Sequence, residues 1–309
     1  MTEEEKPFFS ILLPTWNRPE LLHETIKSAL SQTYKNFEVI IVDDGDKLRA
    51  DKVVSEFSDP RITYIQHDKN YGSPVAKNTA LKVARGKWVA FLDDDDEWFP
   101  ENLEKKKEII DKYGDKISYV FSGVEFYNTK TKEIYQRKAK LFGLASYYEH
   151  IVSFQIKPIT STLMVKKLVL DRVGGFDDNT PANQEMDLLY RMGDKEWGYS
   201  MEDVLVQMKG AHGERMGTNM DRRIRGKLYF INKHKEILKK RPRALAEQYY
   251  MLAEFYRFKE DYKNSRKYYF KTFQNCKITG KKARNSFFKF LFLFFPKLFN
   301  KIVKTRRPE

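Results

Sequence analysis

Short apolar runs alternate with segments of helical period through the first hundred residues. A run of four to eight apolar residues bounded by turn formers reads as a buried strand, and apolar residues three or four apart read as one helix face. Phe8–Leu13 is such a run, closed by Pro14, and Leu21, Leu22, Ile26, Ala29 and Leu30 then recur at helical spacing between Pro19 and Gln32. Phe37–Val42 predicts a second buried strand, ended by Asp43-Asp44-Gly45. Helix-compatible residues surround Val53 and Val54, and Arg61–His67 predicts a third strand. Gly72–Ala84 predicts a helix with Gly86 as its C-terminal stop, and Lys87–Leu92 a fourth strand. Strand and helix alternating at this pace imply a largely parallel sheet with right-handed crossovers. The acidic ends of the second and fourth strands then open on the same edge.

The pattern turns mixed after about residue 100. Glu101–Lys112 predicts a charged helix with Leu103, Ile109 and Ile110 as its stripe, and Tyr119–Tyr127 and Leu163–Val165 predict strands. Gly174-Gly175-Phe176-Asp177 predicts a turn and Asn183–Met192 a helix. Ile224–Leu238 and Ala244–Gln274 predict further helices, the second broken near Glu260-Asp261. There Leu252, Ala253, Tyr256, Tyr262, Tyr269 and Phe273 resemble a single tetratricopeptide-like hairpin, one copy and not an array. In 287–303 Phe288, Leu291, Phe295, Leu298 and Ile302 share one helical face, with Lys289, Lys297, Lys301 and Lys304 opposite and a kink at Pro296. The run is too short and too lysine-rich to span a bilayer. Its pattern predicts a helix lying in a membrane surface; a cover over a core or a subunit interface is the other use of such a face. Three segments follow: an α/β domain over 1–222, a helical extension over 223–276, and a basic amphipathic helix over 277–309.

Composition narrows the classes. With 309 residues, 41% of them hydrophobic, the chain can build one large core or two smaller ones. A net charge of +14 invites nucleic acid as partner, but the basic residues are spread along the chain and thicken toward the C-terminus. Helix-turn-helix, zinc-finger and RNA-recognition motifs are missing, so no nucleic acid is expected and anionic lipid is the better use of the charge. Cys276 is the single cysteine, which excludes an intrachain disulfide and a thiolate metal site. The acidic start, Met1 to Lys6, lacks the basic and apolar regions of a secretory signal. A cytoplasmic protein, peripheral at the inner face of the cell membrane, is expected.

Asp93 to Asp96 stand directly behind the apolar run Trp88–Leu92. Carboxylates crowded at the end of a buried strand repel one another, and such a cluster persists only against water or a cation. In open α/β sheets ligands bind outside the carboxyl ends of the strands. Hard oxygens there suit Mg²⁺ or Mn²⁺, which in turn suit a diphosphate.

Four ordered segments carry a resemblance. Ser10-Ile11-Leu12-Leu13-Pro14-Thr15-Trp16-Asn17-Arg18 resembles the opening strand of the family 2 glycosyltransferases. Ser28-Ala29-Leu30-Ser31-Gln32-Thr33-Tyr34 with Glu38 to Gly45 is similar to the next unit. Asn70-Tyr71-Gly72, Ala76 to Leu81, Gly86 and Phe91-Leu92-Asp93 resemble the third, and the likeness covers about the first 215 residues.

The resemblance implies a GT-A type, Rossmann-like α/β domain and an inverting transfer from a nucleotide-diphosphate sugar, UDP first among the nucleotides, to a hydroxyl of a lipid-linked or surface-glycan acceptor. It implies Asp44 on the base, Pro14 and Trp16 as its apolar wall, and Lys77 and Asn78 where the family has Arg-Asn. Lysine keeps the charge there but loses the bidentate fork. The Asp-X-Asp element falls on Asp93-Asp94-Asp95, with Asp95 as direct ligand of Mn²⁺ or Mg²⁺, Asp93 supporting it and Asp94 near the ribose; Asp96 could share the work. Gln184-Glu185-Met186-Asp187-Leu188 resembles the family's Glu-Asp-X-Asp-Leu, placing the general base on Glu185 with Asp187 as the alternative. His212 matches the late histidine on metal or diphosphate. The rival reading is a catalytically weak nucleotide-sugar-binding partner protein of a glycan assembly complex.

Overall fold

The computed structural model describes residues 6–139, 141–153, 155–210, 219–275 and 288–291. The chain falls into two compact units. The first holds the residues up to 148 with 156–179 and the segment from 184 through the last strand; the second holds the helical remainder with short stretches around 149–153 and 180–183.

In the first unit the elements run β1 (Phe9–Thr15), α1 (Pro19–Leu30), β2 (Phe37–Asp43), α2 (Asp51–Ser55), β3 (Ile62–Gln66), α3 (Ser73–Val83), β4 (Trp88–Phe91), β5 (Asp96–Trp98) and α4 (Asn102–Tyr113). Then come β6 (Tyr119–Asn128), β7 (Ile134–Arg137), β8 (Gly143–Ala145), α5 (Tyr148–Val152, which reaches past residue 148), β9 (Leu163–Lys166), α6 (Lys167–Val173), α7 (Gln184–Met192) and β10 (Gly198–Gly210). The strands form one sheet in the order β3-β2-β1-β4-β9-β6-β10-β5, with β7 on β6 and β8 on β10. The four strands β3, β2, β1 and β4 are parallel, and antiparallel β9 sits between β4 and β6. This is the α/β, mainly parallel frame expected from the alternation of the first hundred residues.

Burial explains why these runs are strands. All seven residues of β1 and all seven of β2 are buried, as in strands covered on both faces; most are apolar, and the buried polar pair Ser10 and Glu38 is joined by a 2.7 Å hydrogen bond. Leu22 and Ile26 of α1 and Leu103 and Ile110 of α4 close one face over Ile11, Val39, Ala90 and Val120. Each such side chain contributes about 1.5–3 kcal/mol.

Two local expectations change. The first strand does not close before Pro14 but continues to Thr15, with Pro14 opposite Val42. Even-numbered β1 residues face β4, since Phe8 O and Leu12 O accept Trp88 N and Leu92 N. Pairing with β4 ends at Leu12, so the N–H that Pro14 lacks is not missed. Gly86 does not cap α3, which ends at Ala84 in extended conformation. Its role is close approach: a Cβ there would lie 2.6 Å from Ser10 N.

The second unit holds α8 (Met220–Lys233), α9 (Lys235–Lys239), α10 (Pro242–Phe258) and α11 (Tyr262–Asn275). The break near 260 is present, and α10 and α11 pack through Leu252, Ala253, Phe255, Tyr268 and Tyr269. The single helix expected over 224–238 is instead α8 and α9, parted at His234, which is buried with its ring 4.7 Å from that of Phe230. Of the amphipathic segment 287–303, only 288–291 lies within the described residues. There Phe290 packs 5.4 Å from Phe270, and Lys289 donates to Tyr250 Oη and to the Glu254 carboxylate. Phe288 and Leu291 stay exposed.

Candidate active site

The carboxyl ends of β1, β2 and β4 meet on one edge, as parallel register requires. Asp43 and Asp44 follow β2 with different tasks. Asp43 is structural: its carboxylate accepts from Gly45 N, Ala50 N and Tyr64 Oη. Asp44 Oδ1 accepts from Tyr71 N at 2.9 Å and faces His67 Nδ1 at 2.8 Å, while Oδ2 accepts from Gly72 N at 2.7 Å. A carboxylate offers about four acceptor positions, and three of them are taken here. His67 is itself held by Thr79 through Nε2. Trp16, at the end of β1, is 43% exposed, whereas Pro14 is buried inside the strand. The edge thus presents the indole and not the proline.

The acidic turn is a tight one, with Asp96 N donating to Asp93 O at 3.1 Å. Its four carboxylates are sorted by their surroundings. Asp94 is buried, accepts from Thr15 Oγ1 at 2.8 Å and from Trp16 N, and lies 3.4 Å from Arg18. Desolvation pushes its pKa up to about 7 against the pull of Arg18. Asp95 shares the same guanidinium at 3.4 Å. Asp96 is fully buried and accepts from Ser161 Oγ at 2.6 Å, so it belongs to the packing beneath the turn.

Asp93 is joined to the helix that follows the Gly-Gly turn. The ammonium of Lys77, buried within α3, lies 3.6 Å from Asp93 Oδ1 and 3.4 Å from Glu185 Oε1. Burial opposes that charge, yet the two carboxylates outweigh it and hold the lysine pKa above its usual value. Glu185 is the mirror case. Burial alone would raise its pKa, but Lys77 and a 2.6 Å hydrogen bond from Thr160 Oγ1 bring it below the ordinary carboxylate range. It is ionised at neutral pH. Desolvation and the like charges of Glu185 and Asp95 raise Asp93, with Lys77 working against them.

Two other candidates are taken up by the scaffold. Asn78 donates to Phe176 O and Asp178 Oδ1 and accepts from Phe176 N, tying α3 to the turn after α6. Gly175 in that turn has φ +66° and lies so close that a Cβ would sit 2.5 Å from Asn78 Oδ1. Asp187 is buried with Oδ2 2.8 Å from Arg191 Nε, and Arg191 is pinned to the carbonyls of Val173 and Gly175. The structure therefore gathers Asp93, Lys77 and Glu185 and leaves Asp187 apart from them. His212 lies outside the described residues. Sequence patterns gave no sign of Thr160, Ser161 or His67, and Arg18 stood only as a motif letter.

Asp93 and Asp95 are hard oxygen donors of the kind Mg²⁺ and Mn²⁺ take, and Mg²⁺ commonly keeps waters and substrate phosphate in its other positions. Among the described residues no group of three or more His, Cys, Asp or Glu side chains is arranged to hold an ion.

Residues 10–199, well over half of the chain, match the family model described as glycosyl transferase family 2. The chain belongs to this family. A protein of Escherichia coli (strain K12) named for colanic acid biosynthesis, WcaA, is 31% identical over 245 residues, which cover 75% of this chain and 83% of that protein. The β-1,3-glucosyltransferase WfgD of Escherichia coli, named for UDP-Glc and α-D-GlcNAc-diphosphoundecaprenol, is 36% identical over 122 residues, 40% of this chain and 47% of its own length. Among solved structures, S. aureus TarS 1-349 with UDP-GlcNAc aligns at TM-score 0.63 and 15% identity, covering 95% of this chain and 91% of that one. The mannosyltransferase PcManGT of Pyrobaculum calidifontis, with GDP-Man and Mn²⁺, aligns at 0.58 and 16%, covering 97% and 88%. These likenesses show the GT-A fold, and as a family 2 glycosyltransferase the chain is an enzyme. Among the described residues no helix is long and apolar enough to cross a membrane.

Proposed function

We propose that this glycosyltransferase moves a sugar from a nucleotide-diphosphate sugar, UDP-linked first, to a hydroxyl of a lipid-linked or surface-glycan acceptor with inversion. The observation that carries the reading is the Glu185 carboxylate, held ionised by Lys77 and Thr160 beside the first acid of the turn. An ionised carboxylate there suits a general base, taking the acceptor proton as the hydroxyl oxygen attacks the anomeric carbon. The carbon–oxygen bond to the diphosphate breaks on the far side, and one in-line step inverts the centre. Asp44 and Trp16 would hold the nucleotide base, and Asp94 the ribose. Asp93 and Asp95, with His212 as a further candidate, would hold Mn²⁺ or Mg²⁺, which when bound neutralises the departing diphosphate.

The acceptor class rests on WcaA and WfgD, whose names carry colanic acid and a diphosphoundecaprenol-linked sugar. Exposed Phe288 and Leu291 beside a lysine-rich C-terminus support a peripheral membrane contact through 287–303 at the inner face of the cell membrane. The test is a panel of nucleotide sugars with Mn²⁺ or Mg²⁺, a GlcNAc-diphosphate-lipid acceptor, and a chelator control. Release of nucleoside diphosphate from one donor, lost on chelation and in Glu185→Gln while nucleotide still binds, is expected. Nucleotide binding without turnover of any donor would instead favour the role of a binding partner in glycan assembly.

A further inference from the structure

Lys106 is a buried lysine beside the site that the reaction does not use. It lies on α4, fully buried, and its ammonium donates to the Thr162 carbonyl at 2.8 Å. Burial pushes its pKa down to about 7, and the partners described for it are the Thr162 carbonyl and the Trp98 ring, both uncharged. An uncompensated lysine in a core is unfavourable, and apolar residues of the same volume normally replace it at no loss. Its location gives the reason to keep it.

Thr160, Ser161 and Thr162 form a single 3₁₀ turn before β9, and the first two reach the site through their side chains. Thr160 Oγ1 donates to Glu185 at 2.6 Å. Ser161 Oγ accepts from Asp93 N at 3.1 Å and donates to Asp96 at 2.6 Å. Two carbonyls of the same turn are held from the other side. Trp98 Nε1 donates to Ser161 O at 2.8 Å, and Lys106, 5.9 Å above the Trp98 ring, donates to Thr162 O. The candidate base and the backbone of the first acid are thus registered to each other by one turn with two supports.

We infer that Lys106 is a positioning residue: its hydrogen bond to Thr162 O fixes the Thr160–Thr162 turn and so sets Glu185 against Asp93. The inference rests on Glu185 acting as the base. Displacements near 1 Å at a reacting pair cost about a hundredfold in rate. What the support must supply is a donor at Thr162 O, not a charge.

Three variants test this: Lys106→Met fills the volume without a donor, Lys106→Gln keeps a donor without charge, and Trp98→Phe removes the second support while keeping a ring. Donor hydrolysis and transfer are followed against nucleotide-sugar concentration, with amide hydrogen exchange across 159–163 and 184–192. Lys106→Met and Trp98→Phe should lower kcat by about 10–100-fold with KM for the donor unchanged, and exchange faster in both segments. Lys106→Gln should restore both. Wild-type kcat and exchange in Lys106→Met, or equal loss in Lys106→Gln, overturns the inference. A wild-type enzyme that turns over no donor defeats the base assignment instead, and the exchange comparison still decides whether Lys106 holds the turn.

Discussion

Lys77 Nζ lies 3.4 Å from Glu185 Oε1, with the lysine wholly inside the protein. The pair makes the proposed base depend on two helices, α3 and α7, distant in sequence. Lys77→Met should raise the pKa of Glu185, so that the acid limb of the kcat profile moves to higher pH. A buried carboxylate pair left without its cation should also cost about 3–5 kcal/mol of stability. A pH-rate profile and a urea melt on the same variant check both outcomes.

Asp44 collects two backbone N–H groups and His67 on one carboxylate. Asp44→Asn presents an amide donor to at least one of these donors, and charge-assisted bonds contribute about 1.5–3 kcal/mol each. Titration calorimetry with UDP should show affinity weakened by about ten- to a hundredfold. The loop Asn70–Gly72 should loosen with it.

The alkaline side reports on Lys106. Burial brings its pKa down to about 7 from 10.5, so the folded protein sheds a proton that the unfolded chain keeps between those values. Stability therefore rises as pH climbs from about 7 toward 10.5, and the penalty is constant and full below 7. Lys106→Met should abolish that rise, its advantage over wild type being largest at neutral pH and vanishing near 10.5. Denaturant melts at pH 6.5, 8.5 and 10.5 (about two pH steps on either side of the middle) measure the slope.

Gly86→Ala tests the close approach of the chain before β4 to β1. The added methyl meets backbone atoms of Phe9 and Ser10 as well as Ser10 Oγ, and that backbone is fixed in β1. Overpacking of this kind costs about 1–3 kcal/mol, so the melting temperature should fall by several degrees with the site chemistry intact.

The parallel half of the fold was legible because a strand buried on both faces is written as a largely apolar run. In β2, Phe37–Asp43, Val39 to Val42 form such a run, ending in the acids of the candidate site. The crowding of Asp93 to Asp95 was legible for the same reason. Other features depend on pairings that no local pattern announces. Thr160 matters only because β9 inserts antiparallel between β4 and β6, and a hydroxyl carries no period. Lys106 is a charged residue where an amphipathic reading expects solvent. Gly86 looked like a helix stop because glycine has two uses, and only the packing against Ser10 tells them apart.

The acidic turn also has a mechanical meaning. β4 and β5 are joined by only residues 92–95, yet three strands stand between them in the sheet. Four strand spacings laid flat measure about 19 Å. A two-residue step followed by a β-turn reaches no more than about 14 Å. The sheet is therefore bent into an arc, and the aspartates are the chord that holds its ends together. Inserting one residue among them would slacken the chord and let the arc open, so the carboxylate spacing and the curvature of the sheet rise and fall as a single mechanical quantity.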